Sequence, residues 1–251
     1  MPSAGAHLPQ LTVAFGGGGP FGIAYGLGVA HALADSGMSF DGVDMLGTSA
    51  GAWVASCIAT GVGFAELCAV PQLRLPNPRP GLLRAIAGDI FGDAHNEFVT
   101  ASAVRLPSSR RALLSGGTHR LAEIVAASSA VPGLFAPVRI GRQLYVDGGV
   151  RSLVSAHHAP AARHLLVVAP IAGPMFGPGG RTMELMLREE IRRWEQATGG
   201  TAHLLRPNAE ICLLARHPLQ LFDKARAQAV YPLAYAQAKA AGLRLPALLA
   251  A

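Results

Sequence analysis

Leu11-Thr12-Val13-Ala14-Phe15-Gly16-Gly17-Gly18-Gly19-Pro20-Phe21-Gly22, followed by Val43-Asp44-Met45-Leu46-Gly47-Thr48-Ser49-Ala50-Gly51, is the part of the sequence on which the fold turns. The apolar run Leu11 to Phe15 ends in four consecutive glycines, the pattern of a buried strand feeding a tight turn. From Gly22 to Ala34 the apolar period lengthens. Ile23, Leu27, Ala30 and Ala34 share one helical face, and Gly37 suits a helix stop. Val43 to Leu46 reads as a second strand running straight into Gly47 to Gly51, with an apolar helix from Ala52 to about Thr60. Strand, glycine loop, helix, strand, sharp turn, helix is a βαβα opening, and it predicts an α/β fold with a parallel sheet.

Further along, Pro71, Pro76, Pro78, Pro80 and Gly81 mark a loop. Leu73, Leu75, Leu82, Leu83 and Ile86 give that region an apolar character, which suits either a flap beside a site for acyl chains or a loop packed on the core. Glu97 to Val104, Gln143 to Val146, Leu165 to Pro170 and Ile211 to Ala215 read as strands, and Thr118 to Ala130 as a helix ending before Pro132. Thr182 to Thr198 is amphipathic. Met183, Leu187, Ile191 and Trp194 line one face, with Glu184/Arg188 and Glu189/Arg193 pairs on the other. A last helix is expected from about Leu219 to Ala241. No repeat and no internal boundary is visible, so residues 1–251 are expected to form a single domain.

Composition narrows the functional classes. The apolar fraction of 51% in 251 residues supports one large core. Cys57, Cys68 and Cys212 are scattered and form no CxxC or Cys/His ligand spacing, so neither a disulfide framework nor a metal site is implied. The net charge of +6 comes mainly from dispersed arginines, without the dense basic stripe and interleaved aromatics of a nucleic-acid binder. Residues 1–10 lack the charged and apolar regions of a secretory signal, and no apolar run reaches the roughly 18 residues needed to span a bilayer. A soluble, cytoplasmic protein is expected, touching membranes at most from the side.

Three motifs carry chemistry. Gly47-Thr48-Ser49-Ala50-Gly51 matches G-x-S-x-G, the turn that exposes a serine between a strand and a helix N-terminus. The loop Gly17 to Gly22 offers backbone N–H groups to one point, as an oxyanion requires. The same glycines also satisfy G-x-G-x-x-G through Gly17, Gly19 and Gly22, with Asp41 or Asp44 at the place of a ribose contact. Against a dinucleotide site, the second strand ends in a serine turn. Asp147-Gly148-Gly149 puts a carboxylate at a strand end, with glycines that let the backbone turn away.

Taken together and in this order, the motifs resemble the patatin-like phospholipase family. Its hallmarks are a glycine-rich oxyanion loop, a G-x-S-x-G elbow and a downstream D-G-[AG]. Ala127-Ser128-Ser129-Ala130-Val131-Pro132-Gly133 and the stretch Asp147 to Ser152 are also similar to that family. The resemblance covers residues 11–170 well and the rest loosely. It implies a three-layer α/β/α fold with a mainly parallel central sheet and hydrolysis of carboxylic esters, often in lipids, without a cofactor. It further implies Ser49 as nucleophile and Asp147 as general base. Gly17, Gly18 and Gly19 would form the oxyanion hole, and Gly47 and Gly51 would flank the nucleophile. Where the family loop often carries a basic residue before its last glycine, this chain has Phe21. Backbone amides survive that change, but a side-chain charge for phosphate or carboxylate is lost.

Other readings stay open at this level. Ser49, Asp147 and His203 or His217 have the chain order of an α/β-hydrolase triad, although the elbow comes after only the second strand. His157-His158 look like surface or helix-end residues. Acyl transfer to an acceptor other than water would use the same dyad, and a lipid-binding relative without catalysis would keep the same fold.

Overall fold

The computed structural model describes residues 8–242. One mixed sheet contains β1 (Leu11–Phe15), β2 (Asp44–Thr48), β3 (Val99–Leu106), β4 (Arg110–Ser115), β5 (Val138–Ile140), β6 (Gln143–Asp147), β7 (His164–Val168) and β8 (Thr201–Leu205). The helices are α1 (Gly19–Ala34), α2 (Ala50–Thr60), α3 (Phe64–Ala69), α4 (Leu82–Phe91), α5 (Leu121–Ser128), α6 (Pro178–Thr198), α7 (Ala209–Cys212) and α8 (Lys224–Gly242). The expected βαβα opening is β1-α1-β2-α2.

Strands β3-β2-β1-β7-β8 run parallel, while β4, β5 and β6 join antiparallel. The period-2 alternation of the central strands splits the core in two. Val13, Phe15, Met45, Leu166 and Val168 face one cluster, which also holds apolar residues of α1, α2, α4, α5 and α8. Ala14, Leu46, Leu165 and Val167 face the other, where Leu187 and Trp194 of α6 cover them. The sheet is therefore sandwiched between helical layers. The stripe Leu187-Ile191-Trp194 and the pairs Arg188–Glu184 and Arg193–Glu189 are as the periodicity predicts.

Several boundaries and elements differ from expectation. The residues 211–215, expected as a strand, instead begin within the single helical turn α7. Asn208 caps that turn, its Oδ1 accepting the Ile211 amide at 3.0 Å. A short apolar run does not distinguish strand from helix; the preceding cap does. The strand β8 carries little sequence signal because it is an edge strand with only partial burial. The hairpin partner β4 and the short β5 were also not foreseen, nor were α3 and α4. The final helix is split: Pro218–Phe222 form a 3₁₀ turn, and Asp223 restarts the chain by accepting the Arg226 amide at 2.9 Å.

Candidate active site

The elbow is built by steric exclusion. Ser49 has φ 53° and ψ −117°, a strained backbone for a residue with a side chain, and it caps the N-terminus of α2. Strand β2 and helix α2 must fold back on each other tightly around it. A Cβ on Gly51 would lie 1.9 Å from the Phe15 carbonyl oxygen, and one on Gly47 would lie 2.4 Å from the Ala52 backbone. Only hydrogen fits at either place.

The sheet register brings Asp147 to this serine. Thr48, the last residue of β2, is paired with Ser102, and Asp147, the last residue of β6, with Ala103. Strand β4 occupies the other edge of β3 along residues 100–105. Strands β2 and β6 therefore share one edge of β3 and approach tip to tip, from opposite directions. Ser49 and Asp147 are delivered to the junction. Both are buried, at 9% and 3% exposure.

Asp147 Oδ1 accepts the Gly149 amide at 2.6 Å, closing a 3₁₀ turn over Gly148–Val150. Its Oδ2 is buried and has no hydrogen-bond partner among the described residues. Burial pushes the carboxyl up to about 6, opposed by the nearby Ser49 hydroxyl and the Gly149 amide. The serine is thus close enough to favour the carboxylate, without a fully formed hydrogen bond to Oδ2.

The glycine loop lies beside the serine: a Cβ on Gly17 would be 3.5 Å from Ser49 Cβ. Its amides are not equivalent. Gly16 donates to the Val168 carbonyl at 2.8 Å and Gly17 to the Leu153 carbonyl at 2.7 Å. The Gly17 amide, expected among the oxyanion donors, is therefore engaged by the scaffold. Among the described residues, Gly18 and Gly19, at the N-terminus of α1 with φ 148° and 56°, make no such backbone bond. The amide of Ala50, first residue of α2, likewise has no backbone acceptor among the described residues. Phe21 is fully buried in the core, so the family's basic position here has been absorbed into packing.

Ser49 opens onto a cavity of about 170 Å³. Its walls include Trp53 of α2, Leu67 of α3, Leu75, Ile86 of α4, Phe135 and Phe222. Leu73, Leu75, Leu83 and Ile86, the apolar residues around the proline-rich loop, all line it. The wall contributed by Phe222 and the start of α8 was missed from the sequence; Phe222 packs against Gly19 from 203 positions away, and no local signal announces that contact.

The other candidates fall elsewhere. His203 pairs with His164 at 3.3 Å on β8 and β7, His157 faces Glu190 at 3.6 Å, and His217 precedes the 3₁₀ turn at Pro218–Phe222. Among the described residues, none of these histidines has a hydrogen bond or ion pair to Ser49 or Asp147. Asp44 opens β2 beside Thr12, at the end of the strand away from the glycine loop, and Asp41 precedes it. No group of three or more His, Cys, Asp or Glu side chains among the described residues is placed to hold a metal ion. No described helix is long and apolar enough to cross a membrane.

A family model for patatin-like phospholipase matches residues 79–160, a span that includes Asp147. Uncharacterised NTE family proteins of Mycobacterium bovis and of Mycobacterium tuberculosis (strains CDC 1551 and H37Rv) are each 30% identical to the chain over 213 residues. Those alignments cover 77% of this chain and 58% of each relative, so the chain spans less than two thirds of their length. Among solved structures, VipD from Legionella pneumophila superposes with a TM-score of 0.46 and 14% identity, over 98% of this chain and 67% of that one. The family-model match over residues 79–160 and the similarity to NTE family proteins support a patatin-like phospholipase family for this chain.

Proposed function

We propose that the protein is a lipid acyl hydrolase working through an acyl-Ser49 intermediate. The observation that carries this reading is the convergence at one junction of Ser49 on its strained turn and the buried Asp147, both beside an apolar cavity. In the first half-reaction Asp147 takes the proton as Ser49 Oγ bonds to the ester carbonyl carbon. The amides of Gly18, Gly19 and Ala50 stabilise the resulting oxyanion, each such donor being worth about 3 kcal/mol. The carbon–oxygen bond to the alcohol then breaks, and Asp147 returns its proton to the departing oxygen. In the second half water attacks the acyl-serine, Asp147 accepts one of its protons, and that proton returns to Ser49 Oγ as the acid leaves. The apolar cavity takes the acyl chain, and contact with a membrane surface from the side gives access to lipid substrate.

The test is labelling with a fluorophosphonate serine probe followed by peptide mapping, alongside Ser49→Ala. Ser49 is expected to carry the label, and Ser49→Ala to abolish ester hydrolysis with the fold intact. Label on another serine, or full activity in Ser49→Ala, overturns the assignment. Single His→Gln changes at His157, His158, His203 and His217 are expected to keep most activity; a thousandfold loss in one of them would replace the dyad by a triad.

A further inference from the structure

Ser49 holds a strained backbone in a buried place, and something must hold it there. Its own amide is the key: as the cap of α2 it has no helical acceptor. Leaving a buried N–H unpaired is costly and would favour any rotation of the turn that found a partner. The acceptor is a side chain. Ser128, the last residue of α5, is completely buried, and its Oγ accepts the Ser49 amide at 2.8 Å. The same hydroxyl donates its proton to the Ser102 carbonyl at 2.7 Å, so its orientation is set from both sides.

That carbonyl is shared with the acid. A Cβ on Gly148 would lie 2.2 Å from the Ser102 oxygen, so the turn after Asp147 is pressed against the very atom that orients Ser128. Ser102 is itself anchored: its Oγ accepts from the Arg111 guanidinium at 2.8 Å and from Ser155 Oγ at 3.1 Å. A chain of contacts therefore runs from the Ser49 amide through Ser128 Oγ and the Ser102 carbonyl to Gly148. We infer that Ser128 is a positioning residue, whose hydroxyl fixes the Ser49 turn and keys it to the same carbonyl that seats the Asp147 turn. This inference rests on Ser49 being the nucleophile.

The role predicts a specific kinetic signature. Ser128→Ala keeps the cavity, so KM for an apolar ester is expected to stay within about threefold. The serine is no longer aimed, and small misplacements of reacting groups are costly, so kcat is expected to fall about ten- to a hundredfold. The rate of Ser49 labelling by a fluorophosphonate should fall in parallel, since it reads the nucleophile independently of substrate. Ser128→Thr, which keeps the hydroxyl, is expected to recover most of the rate, and Ser128→Cys, a weak acceptor of similar shape, to fall between. Ile124→Val on the same helix is the control for loss of stability alone and is expected to leave kcat and labelling unchanged. All are measured well below each variant's Tm. Ser128→Ala or, if it fails to fold, Ser128→Cys with unaltered kcat would overturn the inference, as would an equal loss in Ile124→Val. If Ser49→Ala retains hydrolysis, the dyad itself is wrong; if Ser49 is essential and Ser128 is neutral, only the positioning role falls.

Discussion

At the scale of the residue, Asp147 is a carboxylate kept in a place that opposes its charge. With one oxygen on the Gly149 amide and the other without a partner, burial raises it to about 6. As the proposed base it must be ionised, so kcat/KM is expected to climb through about pH 6 and level off above it. The same shift acts on stability in the opposite sense. In the unfolded chain the group titrates near 3.9, so folding favours the protonated form. The stability it contributes is complete below the unfolded value and is lost as pH rises through about 6. Asp147→Asn removes that ionisation. Its activity should be close to nil, while its stability advantage over the parent protein should grow by roughly 2 kcal/mol between pH 4 and pH 8. Urea unfolding at the two pH values measures this. An advantage that shrinks as pH rises would show that the carboxylate is stabilised by partners and is not held against desolvation.

At the scale of the element, the region from α3 to α4 turns a proline-rich loop into a wall. Asn77 donates its amide to the Leu134 carbonyl at 2.8 Å, tying the loop to the segment after α5. Leu73 and Leu75 then face the cavity beside Leu83, Ile86 and Ile90 of α4. The loop is a packed segment, and its packing forms one wall of the cavity onto which Ser49 opens. Each buried methylene is worth about 0.8 kcal/mol, so octanoyl and longer esters should be preferred over acetyl. Ile86→Trp fills the cavity and is expected to lower kcat/KM for octanoyl esters about tenfold while leaving acetyl esters within about threefold. A series of nitrophenyl esters of increasing chain length checks this. Equal losses at every length would place the acyl chain elsewhere.

At the scale of the whole molecule, the site occupies the carboxyl ends of adjacent parallel strands β1 and β2, where α/β sheets bind ligands. The glycine loop and elbow emerge side by side because Phe15 is paired with Gly47. In a dinucleotide site an acidic residue would end the second strand. Here that end holds Thr48 and Ser49, and Asp44 stands at the other. Gly19 is also covered by Leu221 and Phe222, with a Cβ there 3.1 Å from the Leu221 carbonyl oxygen. NAD is therefore expected to show no micromolar binding by calorimetry. Micromolar binding that disappears in Gly19→Val would restore the dinucleotide reading.

What the sequence by itself determined is local. Leu11 to Phe15 before four glycines, and Gly47 and Gly51 around Ser49, specify a strand ending in a sharp turn, because backbone sterics act over a few residues. The amphipathic period of α6 was legible for the same reason. The Asn208 cap that makes residues 209–212 helical is likewise a short-range signal. Tertiary structure decided which turns meet. Ser49 and Asp147 become partners because β2 and β6 share an edge of β3, and register between distant strands depends on the whole sheet. The Gly17 amide went to Leu153, and the hydroxyl of Ser128 to the Ser49 amide, through the same long-range packing. A buried polar group takes whichever partner the fold brings within about 3 Å, and only the folded chain sets that distance.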